Sequence, residues 1–425
     1  MTNLASLSAT DAASRIAAGT LKAQDLAEAM LDVIATREPV VRAFAHLDPA
    51  LVRRQAAAVD AAPKKGRLAG LFMGVKDVID SGDQPSQYGS PIWAGHRPRT
   101  DSACVALARR AGAVIAGKTV TTEFATRFPG ATTNPHNAAH TPGGSSQGSA
   151  AGVGAGMLHL AFGTQTAGSI VRPAAYCGAV GFKPSFGTLH RAGMKVMSES
   201  LDTIGVMARS VPDVALAMTA LTGLDHGDLS RAAPRAPRLA LIAGDMAEAA
   251  PETAALMERV ADAARRAGAT VTVVNLPEVF AQAIALHPHV MHMESAQALA
   301  WEIDHASAQL SPVMRTNMEW AMAEPAGKLN EARAAFAAAQ AAFADAIAGY
   351  DAVLTPSAPG EAPEGLDFTG LPTFNTLWTV LHTPCITVPA GTGPKGLPLG
   401  AQIVTPRGQD AAALLWGEWL HRAIT

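Results

Sequence analysis

The chain has 425 residues, 48% hydrophobic and 16% charged, with a formal net charge of −3. That balance can bury a large core and leaves no basic stripe for a phosphate backbone, so nucleic acid is not an expected partner. Cys104, Cys177 and Cys385 are an odd number at wide spacing, which suits reduced, buried thiols in the cytoplasm better than a secreted disulfide framework.

Asp11, Arg15, Lys22, Asp25 and Glu28 interrupt the N-terminus. It therefore holds no signal-peptide apolar core and reads as two amphipathic helices. Leu71 to Lys76 is a short β-like run ending in a lysine, and Ser102 to Gly112 is helical by pattern before a buried strand at 113–116. The run Ala150 to Gly163 is weakly polar and glycine-rich, and falls short of the roughly 20 residues a membrane span needs. Strands at 238–242 and 270–274 flank a helix at 251–267, which makes a βαβ unit. From 281 to 350 the pattern is helical, with Pro288, Pro312 and Pro325 expected to break it into several helices. Strands return at 352–355, 385–389 and 399–404, and a helix at 410–422 closes the chain. This alternation predicts an α/β fold in one domain spanning 1–425: N-terminal helices at 1–62, a catalytic core at 63–230, a helix-rich layer at about 245–350, and C-terminal elements at 351–425 that rejoin the sheet.

Two Gly/Ser-rich stretches carry the chemistry, Thr141 to Ser149 and Gly163 to Pro173. Small residues let a backbone approach a substrate closely, and a serine after Ala167-Gly168 can be ringed by free N–H groups. Ser169 is the candidate nucleophile, and a serine hydroxyl needs a base at neutral pH. Lys76 lies among Gly74, Val75, Val78 and Ile79, where burial lowers a lysine's pKa until the neutral amine can accept a proton. Ser145 is placed to relay that proton.

Gly74-Val75-Lys76-Asp77, Gly143-Gly144-Ser145-Ser146 and Gly168-Ser169, together with Gly181-Phe182-Lys183-Pro184 and Leu397 to Gln402, resemble the amidase signature family. The resemblance implies a large central mixed β-sheet covered by helices on both faces. It also implies a metal-independent hydrolase of small-molecule amides, with Ser169 as nucleophile, Ser145 in a cis peptide and Lys76 as base. The N–H groups of Thr166, Ala167, Gly168 and Ser169 would form the oxyanion hole, and Gly143 and Gly144 would border the substrate. Gln165, Ala167 and Val171 depart from the commonest family form, and the Ser-x-x-Arg-Pro arrangement resembles malonamidases. There the arginine matching Arg172 holds a substrate carboxylate, and the position of an assisting polar residue falls on Met291. Malonamate is then a lead substrate, although Arg172 could instead hold backbone carbonyls or a structural acid.

Asp77 is expected to order the loop after Lys76, and Ser146 and Ser149 to hold their own loop by hydrogen bonds. His287, His289 and His292 match no standard metal spacing, so neither metal nor cofactor is expected. Gly144 to Gly148 formally fits G-x-S-x-G around Ser146, but no strand leads into it. The alternatives left open are the glutaminase subunit of an amidotransferase and a binding protein on the same scaffold. A homodimer also stays open.

Overall fold

Eleven segments pair into one sheet in the computed structural model, which describes residues 4–242 and 248–425. They are β1 (Phe44–Leu47), β2 (Phe72–Lys76), β3 (Val114–Thr119), β4 (Leu160–Gln165), β5 (Val180–Lys183), β6 (Thr203–Ala208), β7 (Arg238–Leu241), β8 (Thr270–Val273), β9 (Ala352–Pro356), β10 (Cys385–Thr392) and β11 (Pro398–Val404). The order across the sheet is β1-β3-β2-β4-β6-β5-β10-β11-β9-β7-β8. Strands β2, β3 and β4 run parallel, as do β7, β8 and β9, and the junctions between these groups are antiparallel.

Successive side chains of a strand point to opposite faces, so a strand buried at every residue is covered on both sides. β2, β3, β4, β6, β9 and β11 are all of this kind. The two larger hydrophobic cores divide accordingly. Leu239, Leu354 and Ile403 join a core shared with the N-terminal helices, while their neighbours Ala240, Val353 and Val404 join a second core with Phe280, Val290 and Phe336 of the helical layer. Helix Pro251–Arg266 links the parallel strands β7 and β8 as the expected βαβ unit.

One sequence expectation changes. Pro288 does not end a helix, because Glu278–Ala298 runs straight through it. A proline removes one helical N–H donor, and here buried Leu286 and Val290 on either side pack the segment in place. Pro312 and Pro325 do stand at helix starts. The weakly polar run ends inside β4, at 160–163, and full burial of that strand erases the alternation that would have marked it.

The register places the site. Val75 of β2 pairs with Phe162 of β4, so Lys76 at the end of β2 lies beside the end of β4. The loop after β4, residues 166–170, leads directly into helix Val171–Tyr176.

Candidate active site

Lys76 is fully buried, and its Nζ stands 2.7 Å from Ser145 Oγ, 2.7 Å from Thr164 Oγ1 and 3.3 Å from the Thr164 carbonyl. Burial pulls its pKa down to about 7, against the opposing charge of Asp202. The Gly144-Ser145 peptide is cis. Thr164 is a partner that the sequence did not reveal, because only the β2–β4 pairing brings it to Lys76.

The loop holding Ser145 is fixed by its neighbours. Ser146 Oγ accepts from Thr164 N and donates to Thr164 O, both at 3.2 Å, and Ser149 Oγ donates to Phe162 O at 2.8 Å. Asp77 faces inward to a buried ion pair with Lys118 at 3.0 Å and accepts from Gln87 N at 3.1 Å, which ties down the following loop.

Residues 166–169 form a backbone turn whose carbonyls are held from outside. His287 Nε2 lies 2.9 Å from the Thr166 carbonyl, and burial drags the pKa of this ring to about 4, so the neutral tautomer with a proton on Nε2 donates the bond. Thr379 Oγ1 donates to the Ala167 carbonyl at 2.7 Å. Gln165 accepts from Ile170 N (2.9 Å) and Val171 N (3.1 Å) while donating to Thr379 Oγ1 (3.0 Å). An aspartate could not make that donation, which accounts for the amide at this position. Thr166 Oγ1 donates to Asp202 at 2.5 Å. A Cβ on Gly168 would meet Asn375 Oδ1 at 2.6 Å, so only glycine lets the turn approach this wall.

Ser169, 8% exposed, opens onto a cavity of ≈ 60 Å³. Thr166, Ala167, Arg172, Met291 and His292 line it as well. Arg172 is buried and donates from Nη2 to the Gly144 carbonyl at 2.7 Å, and burial lowers its pKa to about 10. Gly143 and Gly144 do not line this cavity; Gly143, at φ +81°, is pressed against Pro173 and Tyr176. A larger cavity of ≈ 680 Å³, walled by Val273, Leu276, Ile284 and Leu377, holds none of the residues marked from the sequence. Among the described residues no group of three or more His, Cys, Asp or Glu could hold a metal ion, and no helix is long and apolar enough to cross a membrane.

Residues 25–414 match the sequence profile of the Amidase family. This chain belongs to that family. Its relatives include a glutamyl-tRNA(Gln) amidotransferase subunit of Chloroflexus aggregans, 40% identical over 247 residues, which is 56% of this chain and 51% of the relative. The corresponding protein of Roseiflexus castenholzii is 41% identical, covering 56% and 50%. The chain thus spans about half the length of the curated relatives it matches. Among solved structures, an amidase aligns at TM-score 0.90 and 25% identity over 99% of this chain and 100% of its own. The peptide amidase of Stenotrophomonas maltophilia aligns at 0.82 and 28% over 99% and 97%.

Proposed function

We propose that this chain is an amidase that hydrolyses the carbon–nitrogen bond of small amides through an acyl-enzyme on Ser169. The observation that carries the reading is Lys76: a fully buried amine, with its pKa drawn to about 7, hydrogen-bonded at 2.7 Å to the hydroxyl of Ser145. A neutral amine has two hydrogens and one lone pair. Its hydrogens satisfy the hydroxyl and carbonyl oxygens of Thr164, leaving the lone pair for the Ser145 proton.

In the forward step Ser169 Oγ bonds to the amide carbon, its proton passes to Ser145, and the Ser145 proton passes to Lys76. Negative charge gathers on the former carbonyl oxygen. The N–H groups of residues 166–169 would receive it; in support, His287 and Thr379 hold the carbonyls of Thr166 and Ala167, which fixes the planar peptide units that carry the Ala167 and Gly168 N–H groups. Collapse breaks the C–N bond, and the proton returns through Ser145 to the leaving nitrogen. Water then attacks the ester and the same relay runs again, releasing a carboxylic acid and the free enzyme.

The ≈ 60 Å³ cavity favours short acyl groups, and Arg172 on its wall supports amides that carry a carboxylate, such as malonamate. A second reading, the glutaminase component of an amidotransferase, is favoured by the names of the relatives from Chloroflexus aggregans and Roseiflexus castenholzii. Glutamine brings an α-carboxylate that an arginine can meet, but also an ammonium group, which no carboxylate among the described residues lining the cavity answers. An ammonia-release screen of the purified chain tests both readings. Malonamate and succinamate, propionamide and butyramide, benzamide and glutamine are each offered with no other protein present. Release from short amides, reduced roughly 10³-fold or more in Lys76→Ala, Ser145→Ala and Ser169→Ala, is the expected result. Release from glutamine alone would favour the second reading, and full activity in Ser169→Ala would end the proposed mechanism.

A further inference from the structure

The cavity beside Ser169 contains a second guanidinium that the mechanism does not use. Arg127 lines it together with Arg172, and unlike Arg172 it is solvent-exposed, so it stands at the rim while Arg172 sits in the wall. Among the described residues Arg127 has neither a hydrogen bond nor an ion pair. Its charge acts on Arg172, His287 and His292, in each case against their protonated forms. The exposed guanidinium thus lies close enough to the site for its charge to be felt there, and the residue itself lines the cavity.

The backbone that carries Arg127 is fixed on both sides. Thr122 Oγ1 donates to the Thr126 carbonyl at 3.0 Å, and Glu123 N donates to the Phe128 carbonyl at 2.9 Å. Thr122 N donates to the carbonyl of Ser145 at 3.3 Å, which couples the same segment to the relay serine. Phe124 and Ala125 take φ values of +44° and +57°, a left-handed turn that costs energy for residues with side chains. Glu123 secures this turn through Ser90 Oγ at 3.0 Å and Ser311 N at 3.1 Å. The backbone at the rim is thus held in place, and the guanidinium it carries, its charge unanswered, has all its donors free to meet an anion.

Charge balance gives the direction. The residues lining the cavity include two guanidinium groups, and His292, which burial draws to a pKa of about 4, adds no charge at neutral pH. No carboxylate among them answers either arginine. Two like charges around so small a space repel, and an anion entering between them is drawn in by both. We propose that Arg127 is a specificity-determining residue that selects amides carrying one negative charge on the part of the molecule that stays near the rim, with Arg172 assisting from the wall. This rests on the amidase reading above and narrows it to anionic amides of short chain.

The test compares succinamate with its neutral isostere butyramide, and measures the binding of succinate by calorimetry, in the wild type, Arg127→Met and Arg127→Lys. The ratio of kcat/KM for succinamate to that for butyramide should exceed ten in the wild type. It should fall at least tenfold in Arg127→Met, mainly through KM, and recover in part in Arg127→Lys. Succinate affinity should weaken in parallel. A wild-type ratio near one, or equal losses on both substrates in Arg127→Met, overturns the proposal while leaving the amidase reading intact. If no amide is hydrolysed at all, the amidase reading fails, and undiminished succinate binding in Arg127→Met would then refute the role of Arg127 by itself.

Discussion

At the scale of single residues, the position of one proton governs the proposed chemistry. Lys76 can accept hydrogen from Ser145 only as the neutral amine, and burial sets the boundary between its two forms at about 7. Below that boundary the amine is charged and the relay is blocked, so kcat/KM should rise with pH and level off above an apparent pKa of about 7. A pH–rate profile on a substrate whose own charge is constant from pH 5 to 9 checks this. A flat profile down to pH 5 would remove the lysine from the role of base. Arg172 shows the opposite case, in which a residue's type announces less than its contacts. Its Nη2 holds the carbonyl of Gly144, the residue before Ser145, so changing it would disturb the relay as well as any bound anion.

At the scale of elements, the turn after β4 is shaped by partners far away in sequence. Thr379 in helix Thr376–Val380 receives a hydrogen bond from Gln165 and gives one to the Ala167 carbonyl. Thr379→Val keeps the shape of the side chain and removes both bonds. Leaving buried polar groups unpaired costs about 1–3 kcal/mol each, and the freed turn would aim its N–H groups less well. The expected outcome is a fall in kcat of about tenfold or more with KM less affected, measured beside the unfolding midpoint. Thr379→Ser, which keeps the hydroxyl, should restore most of kcat. Gly168→Ala should be more damaging still, because the added methyl would stand 2.6 Å from Asn375 Oδ1.

At the scale of the whole molecule, Glu294 clasps the helical layer to the loop that precedes β6. It accepts from Ser198 Oγ (2.5 Å), Ser200 N (2.9 Å), Ser200 Oγ (2.5 Å) and Arg333 Nη2 (2.6 Å). Burial alone would raise its pKa, but these hydrogen bonds outweigh burial and the pKa falls below 4.5. A carboxylate depressed in the fold contributes stability above its unfolded pKa and loses it as pH falls through the folded one. Glu294→Gln should therefore lower the unfolding free energy at pH 7 by about 2 kcal/mol, with the gap to wild type narrowing below pH 4.5. Denaturant titrations at several pH values measure it, and a gap that stays constant down to pH 3 would contradict the assignment.

Local sequence sufficed for the identity of the chemical groups and for the type of most long elements. Lys76, Ser145 and Ser169 stand in local motifs of small residues, and helical and strand periodicities are local properties that a single segment displays. Ser146 and Ser149 could likewise be read as loop-holding residues from their setting. Tertiary structure alone decided which distant atoms meet. Thr164 reaches Lys76 through the pairing of β2 with β4, and His287 and Thr379 reach the turn at 166–169 across 121 and 212 positions of the chain. The fully buried β4 gave no alternating signal because both of its faces are covered, and the helix through Pro288 persists because packing on either side outweighs one missing N–H. Arg127 belongs to the same class. Nothing in its local sequence distinguishes it from an ordinary surface arginine, and it acquires meaning only because the fold brings its charge beside the cavity that Ser169 opens onto.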